Sequence, residues 1–463
     1  MNFEELLRAG EPSQAVRTAL IGVGQFGLTL LSQSRRLTSL ELPVLCDRDV
    51  NRVVDACVAA GLARTDVAVV ETVSGGLQAL ESHKTVVTED PLVAVALPVD
   101  VVVEATGNAE AGAQNCLGAI GEGRHVVLVT KETDSVVGPL LSLKARQAGV
   151  VLSQVDGDQP SLLLALISWA RTLGLEIACA GKASEYDFVH DPQTGIVRVA
   201  GLGREARIEA ALWGRPEDAP TALVQDRARA LADIPQRTAP DYCELCLVAN
   251  GSGLKPDVPE LHACVARPGE LPSVLVPDEA GGLLSGANRL DIFNCFRRHD
   301  EISFAGGVFA VLRAPDAATG ELFRGKGIPV SDDGQHVLIY NPTHLLGVEA
   351  PLSILVAKRL GMATGSTAPK PVCDVVMRAS GDLPAGSPLE PKGHHHEIDG
   401  VAAELHDYRP LGSSTPAPYY LAPGARLSTP IGKGELIPLG AIEMPADSAL
   451  HQLRLEQDRT GFD

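Results

Sequence analysis

Ala19-Leu20-Ile21-Gly22-Val23-Gly24-Gln25-Phe26-Gly27 is an apolar run that breaks into a G-x-G-x-x-G turn. A strand is read over 17–23, and a helical pattern follows from Gln25 to about Arg36. In such a turn the first glycine permits the sharp bend, and the second lets backbone approach a pyrophosphate. The third lets the helix pack closely on the strand. The helix start then offers free N–H groups and a partial positive charge to the phosphates. Gly22, Gly24, Gln25, Phe26 and Gly27 are therefore the expected cofactor contacts. The next strand ends in Val44-Leu45-Cys46-Asp47, which puts Asp47 20 residues beyond Gly27. A carboxylate there accepts hydrogen bonds from an adenosine ribose.

Bulk properties narrow the class. The 463 residues predict two or three domains. The 39 basic and 58 acidic side chains leave a net charge of −19, which disfavours nucleic acid and anionic membranes as partners. Every apolar run is interrupted before membrane-span length, and Met1 to Arg17 lacks the apolar core of a signal peptide, so a cytoplasmic protein is expected. The nine scattered cysteines suit reduced thiols. Aromatic residues at 4% argue against a stacking platform for sugars or bases.

Strand patterns at 17–23, 42–46, 84–88, 99–103, 125–129 and 150–154 alternate with helical ones at 25–36, 49–60, 75–81, 109–121 and 135–148. Strands as uniformly apolar as Val99 to Val103 point to a buried parallel sheet of the doubly wound Rossmann type. The fold class expected is α/β, with a nucleotide domain over 1–155, an α+β substrate and oligomerisation domain over 156–362 and a small β-rich module over 371–447. In the second region a helix at 160–173 leads to a strand at 175–181, then a Gly/Pro/Arg-rich stretch to about 240. Helices follow at 241–249 and near 345–360. Beyond the Thr/Ser/Gly/Pro linker, strands are expected at Val372 to Arg378 and Tyr419 to Leu421.

Ligands of an open parallel sheet bind outside the carboxyl ends of its strands. Four further segments lie at that edge. The turn Glu104-Ala105-Thr106-Gly107-Asn108 offers Ala105, Thr106 and Gly107 to the cofactor. Lys131 follows the strand ending at Val129, where an ammonium can polarise a carbonyl or stabilise an alkoxide. Asp156 and Asp158, flanking Gly157, can bind substrate hydroxyls or a divalent cation such as Mg or Mn; Asp158 can equally cap the helix that Pro160 opens. Lys182, with Glu185 and Asp187 after it, suits an anionic polyhydroxylated substrate, and Glu185 is a third candidate for metal.

These motifs together resemble the homoserine-dehydrogenase-like oxidoreductases. Val372 to Pro391 and Ala425 to Pro445 look like a SAF-type module, and Tyr340 to Pro351 looks like the branch that carries it. That branch includes the DXR-like enzymes, which convert 1-deoxy-D-xylulose 5-phosphate to methylerythritol phosphate with NADPH. The resemblance implies an NAD(P)-dependent oxidoreductase, a homodimer or higher homo-oligomer, and a lean to NADP(H). Asp47 alone would favour NAD(H), whereas Arg48 could pair with a 2′-phosphate and turn Asp47 aside. Of the branch's paired motifs D-G-T-K and S-x-x-E-M-x-x-V-A-N, the second survives as Glu244 to Asn250, which makes Glu244 and Asn250 candidates for substrate contact. The first is replaced by Arg237-Thr238-Ala239-Pro240.

Three signals are set aside. Cys243-x-x-Cys246 with His262 and Cys264 has zinc-like spacing, but its cysteines read as small apolar residues of a helix. Gly393-His394-His395-His396 reads as a solvated loop away from the cofactor edge. His344 precedes an apolar helix and is a second-tier acid–base candidate.

The expected activity is hydride transfer between NADP or NAD and a small polar carbonyl or hydroxyl compound. A DXR-like reductoisomerase acting on a ketose phosphate is its sharpest form. Lys131 or Lys182 would hold the reacting oxygen, and Asp156, Asp158, Glu185 and Glu244 would serve hydroxyl or metal binding. Loss of D-G-T-K motivates the alternative, a cofactor-binding sensor or regulator without turnover.

Overall fold

The computed structural model describes residues 2–8, 14–214, 220–393 and 396–462. Seven strands form a fully parallel sheet: β1 Val16–Ile21, β2 Leu40–Cys46, β3 Val67–Val69, β4 Thr85–Thr88, β5 Val101–Glu104, β6 His125–Leu128 and β7 Leu152–Gln154. Their order is β3-β4-β2-β1-β5-β6-β7. The chain winds outward from β1 in both directions, so a crevice opens beyond the carboxyl ends of β1 and β5. Leu20, Val44, Val86, Val102, Val103 and Val126 are wholly buried because helices cover both faces, which is why these strands carry no polar alternation.

Helix α1, Gln25–Ser34, leaves the glycine turn as expected. Helix α2, Lys131–Gln147, starts four residues before the expected 135, so Lys131 stands in its first turn and not in a loop ahead of it. Glu132 and Asp134 occupy that same turn, where carboxylates suit the positive end of a helix. Helix α3, Gln159–Thr172, is capped by Asp158, whose side chain accepts the Gln159 N–H at 2.9 Å. Edge strand β3 and the helix Pro91–Ala96 were not legible: the first is short and half exposed, the second barely two turns.

A second, mixed sheet holds β8 Ile177–Ala183, β9 Phe188–Asp191, β10 Ile196–Val199, β11 Arg204–Arg207, β12 Lys255–Pro256, β13 Cys264–Ala266, β14 Arg289–Arg298, β15 Val308–Arg313 and β16 His336–Asn341. The Gly/Pro/Arg-rich stretch expected to be irregular therefore contains β9 to β11 and a helix at Pro220–Ala230. Helix α4, Ala239–Ser252, packs between α2 and α3 and is buried nearly all round. Helix α5, Ala350–Leu360, returns to the first sheet, where Ile354 and Val356 join the core around Leu20 and Val103.

After the linker, β17 Cys373–Ala379 pairs antiparallel with β18 Val401–Asp407. Tyr419–Leu421, expected as a strand, is a single 3₁₀ turn whose buried tyrosines face α2. A last helix, α6 Ala449–Arg459, was not expected either; it lies on α2 and on the helix Ala109–Gly121. Its Arg454 is fully buried and reaches both oxygens of Asp374, at 2.6 and 2.8 Å, which ties the C-terminus to β17. Among the described residues no helix is long and apolar enough to cross a membrane.

Candidate active site

The glycine turn passes a direct steric test for a dinucleotide cradle. Gly22 has φ +93°, and a Cβ on it would lie 2.4 Å from the Ala105 carbonyl oxygen. A Cβ on Gly27 would lie 2.5 Å from the Gly22 oxygen, so the third glycine is demanded by helix-on-turn packing. Around Gly24 a Cβ would meet nothing within 4 Å. The second glycine is thus not required by the fold. Its open side is what a close-lying pyrophosphate needs. Thr106 is held by Glu104, which accepts its hydroxyl at 2.5 Å, and Gly107 donates its N–H to Thr130 Oγ1 at 3.0 Å. The turn 104–108 is in this way bonded to the residue just before Lys131.

Asp47 lies where expected, and its partners are now specific. Its Oδ2 accepts the Val23 N–H at 2.8 Å and an Arg52 N–H at 2.8 Å, and its Oδ1 accepts the Asp49 N–H at 3.1 Å. Burial works to raise this carboxyl, but the two N–H groups and Arg52 outweigh it and hold it below its ordinary value. Arg52, not Arg48, is the partner of Asp47, and Arg48 stays exposed.

Lys131, Lys182 and Glu244, drawn from three separate segments, meet in one chain of charges. Glu244 takes the Lys131 ammonium on Oε1 and the Lys182 ammonium on Oε2. Lys182 also contacts Asp241 at 2.9 Å, and Lys131 contacts Asp158 at 3.6 Å. The Lys182 side chain is 2% exposed and that of Lys131 22%. Only Lys131 can therefore present its ammonium to a ligand, and Lys182 stands behind as the group that holds Glu244. Burial acts against charge on both lysines, but Asp158 and Glu244 beside Lys131, and Asp241 and Glu244 beside Lys182, push both ammonium groups above their ordinary range. Burial likewise tends to raise Glu244, yet the lysines prevail and hold it at about 2. At neutral pH Lys131, Lys182 and Glu244 are all ionised. Together they can stabilise negative charge on an oxygen but have no proton of their own poised to move.

Asp241 was missed in the sequence. Its Oδ2 accepts the Thr238 N–H at 2.9 Å, the Thr238 hydroxyl at 3.0 Å and the Ser184 hydroxyl at 3.1 Å. The signal was available: Thr238-x-x-Asp241 has capping-box spacing, and Asp241 and Glu244 stand three apart on one helix face. The segment that replaces D-G-T-K is thus the N-terminal lock of α4.

Other expectations fare unevenly. Asp158 both caps α3 and faces Lys131. Asp156 does not join the cluster: its carboxylate takes the Ser161 hydroxyl, its N–H donates to Ser353 Oγ at 2.7 Å, and burial raises its carboxyl. Asn250 is a joint between α4 and β17. Buried, it accepts the Val372 and Cys373 N–H groups at 2.7 and 3.0 Å and so anchors the start of β17. Glu185 is half-buried just past β8. Among the described residues no three His, Cys, Asp or Glu side chains are grouped to hold a metal ion, and Asp156, Asp158 and Glu185 are not gathered into such a group. Cys243 and Cys246 are buried free thiols. His344 lies against Gly306 beside Gln159. His394 and His395 fall outside the described residues, but His396 is not remote from the cofactor edge: its Nδ1 lies 3.2 Å from Glu132 Oε1.

Residues 228–350 match the family model described as "Oxidoreductase DRL, catalytic domain", a segment that includes Asp241, Glu244 and His344. The chain is an oxidoreductase with a NAD(P)-binding fold. No curated protein sequence matches it. Among solved structures, 1-deoxy-D-xylulose 5-phosphate reductoisomerase from Zymomonas mobilis in complex with NADPH is 15% identical, with 74% of this chain and 80% of that chain covered and a TM-score of 0.33. The WlbA dehydrogenase from Bordetella pertussis, in complex with NADH and UDP-GlcNAcA, is 18% identical over 39% of this chain and 49% of that chain, with a TM-score of 0.25.

Proposed function

We propose that this oxidoreductase interconverts a small polar carbonyl compound and its alcohol, with NADP(H) or NAD(H) seated on the glycine turn. The observation that carries the reading is the Lys131 ammonium, the one accessible end of a buried Lys–Glu–Lys–Asp chain, bonded through Thr130 to the turn 104–108. Bound nicotinamide would supply or accept the hydride. Lys131 would donate to the substrate oxygen and stabilise the alkoxide as a permanent cation, since its carboxylate neighbours keep it charged. Lys182 and Asp241 would fix Glu244, and Glu244 would fix Lys131; Asp158 and Glu185 would receive substrate hydroxyls. With Asp47 satisfied by Arg52, Arg48 is left to meet a 2′-phosphate, which favours NADP(H). The resemblance to the DXR-like branch makes a ketose phosphate the first substrate to try, and it supports reading residues 371–447 as a SAF-like module.

The test is cofactor titration by fluorescence with NADPH and NADH, followed by turnover with ketose phosphates, tetronates and homoserine. Lys131→Met is expected to lower kcat by about 10²- to 10³-fold while leaving cofactor affinity in place. Undiminished turnover in that variant would remove Lys131 from the chemistry.

A further inference from the structure

We propose that the C-terminal module completes the active site, with His396 as a positioning residue that holds Glu132 and so leaves the Lys131 ammonium free to meet a substrate oxygen. This rests on the assignment of Lys131 made above.

Glu132 directly follows Lys131 in the first turn of α2 and is nearly buried. It is also one of the three carboxylates that draw on the Lys131 ammonium, with Asp158 and Glu244. Unpaired, it would compete with a substrate oxygen for that cation. His396 removes the competition from outside the two larger sheets, meeting Glu132 at 3.2 Å. The contact is built and not incidental. The Tyr419 hydroxyl donates to the His396 carbonyl at 3.0 Å and accepts the Ile398 N–H at 2.9 Å, clamping the backbone on both sides. His396 itself is held at φ +52°, a conformation that costs a non-glycine residue free energy and persists only where its surroundings impose it. Tyr419 and Tyr420 are buried in the turn that packs on α2, so the loop is braced against the helix it serves.

The charged groups acting on the imidazole are Glu132 and Lys131, both from α2. The neighbouring Tyr420 phenol and the Cys243 thiol of α4 are both pushed up by burial and stay neutral. The hydrogen bond to Glu132 raises His396 above its ordinary value against burial and Lys131. The imidazolium–carboxylate pair therefore exists below that raised value and is lost as pH rises through it.

Two measurements decide the matter. In the full-length protein, the His396 imidazole should titrate above 6.5 by carbon-13 NMR and fall to 6.5 or below in Glu132→Gln, where burial and Lys131 act unopposed. Titration of the unaltered protein at 6.5 or below would overturn the proposal whatever the variants do. Second, the rate of Lys131 acylation by acetic anhydride, read by mass spectrometry against Lys84 as an exposed standard, should fall about three- to tenfold in His396→Ala. His396→Gln, which can still hydrogen-bond but carries no charge, should lie between. Equal Lys131 rates in all three proteins would also overturn it. If labelling responds while Lys131→Met turns over normally, the positioning role stands and the assigned chemistry of Lys131 falls.

Discussion

Two buried carboxyl groups near the site carry opposite pH signatures, because one has cationic partners and the other has none. Glu244, with two ammonium groups on it, is depressed from 4.5 to about 2. The folded chain binds that proton more weakly than the unfolded chain does. Its contribution to stability is therefore complete above 4.5 and lost as pH falls toward 2. Asp134 has only the Gln154 amide, at 2.8 Å, and burial raises it from 3.8 to about 6. The sign reverses: the folded chain prefers this proton, so the residue becomes a burden as pH rises through that interval. Asp134→Asn, which keeps an acceptor for Gln154, should raise stability by about 1–3 kcal/mol at pH 8 and leave it unchanged at about pH 4, measured by urea unfolding. A gain of the same size at both values would show that charge is not the cause.

At the scale of the element, the glycine turn separates what the fold needs from what a ligand needs. Gly22 and Gly27 are enforced by backbone contacts, so alanine at either should cost stability outright. Gly24 faces open space at φ −78°, which any residue adopts. Gly24→Val should therefore leave the melting temperature within a few degrees of the original and weaken NADPH binding by about tenfold or more, read by fluorescence titration. Unaltered binding would mean that no phosphate passes this turn. The turn was legible because its strand, bend and helix are consecutive and their periodicities change within a dozen residues. Strands β9 to β11 were not: each is four residues long, two of them have exposed faces, and glycine and proline punctuate the stretch. The start of α2 was misplaced because Lys131 to Asp134 is polar in sequence, although Glu132 and Asp134 are buried in the structure. Burial of that kind is paid by partners on other elements, which no window of neighbouring residues contains.

In the whole molecule, the last helix clasps the elements that carry the candidate site. Helix α6 sits on α2, Gln457 donates to the Val136 carbonyl at 3.0 Å, and the buried Arg454–Asp374 pair locks α6 to β17. Arg454→Met leaves Asp374 buried without its cation and should cost about 3–5 kcal/mol. Hydrogen exchange should then rise in β17 and α6 and also in the first turn of α2. A loss confined to the C-terminal strands would show that the module and the site are independent.

Local sequence determined the nucleotide sheet, the glycine cradle and the set of strand ends from which Lys131, Asp158 and Lys182 project, because apolar period and turn chemistry act over a few residues. Tertiary structure alone decided that Lys131, Lys182 and Glu244 share one network. It alone gave Asn250 and Asp156 their structural partners, brought in Asp241 as a lock and carried His396 to Glu132. The reason is distance along the chain. A carboxylate's partner is chosen by packing between elements, and residues 132 and 396 become neighbours only once the elements between them have packed.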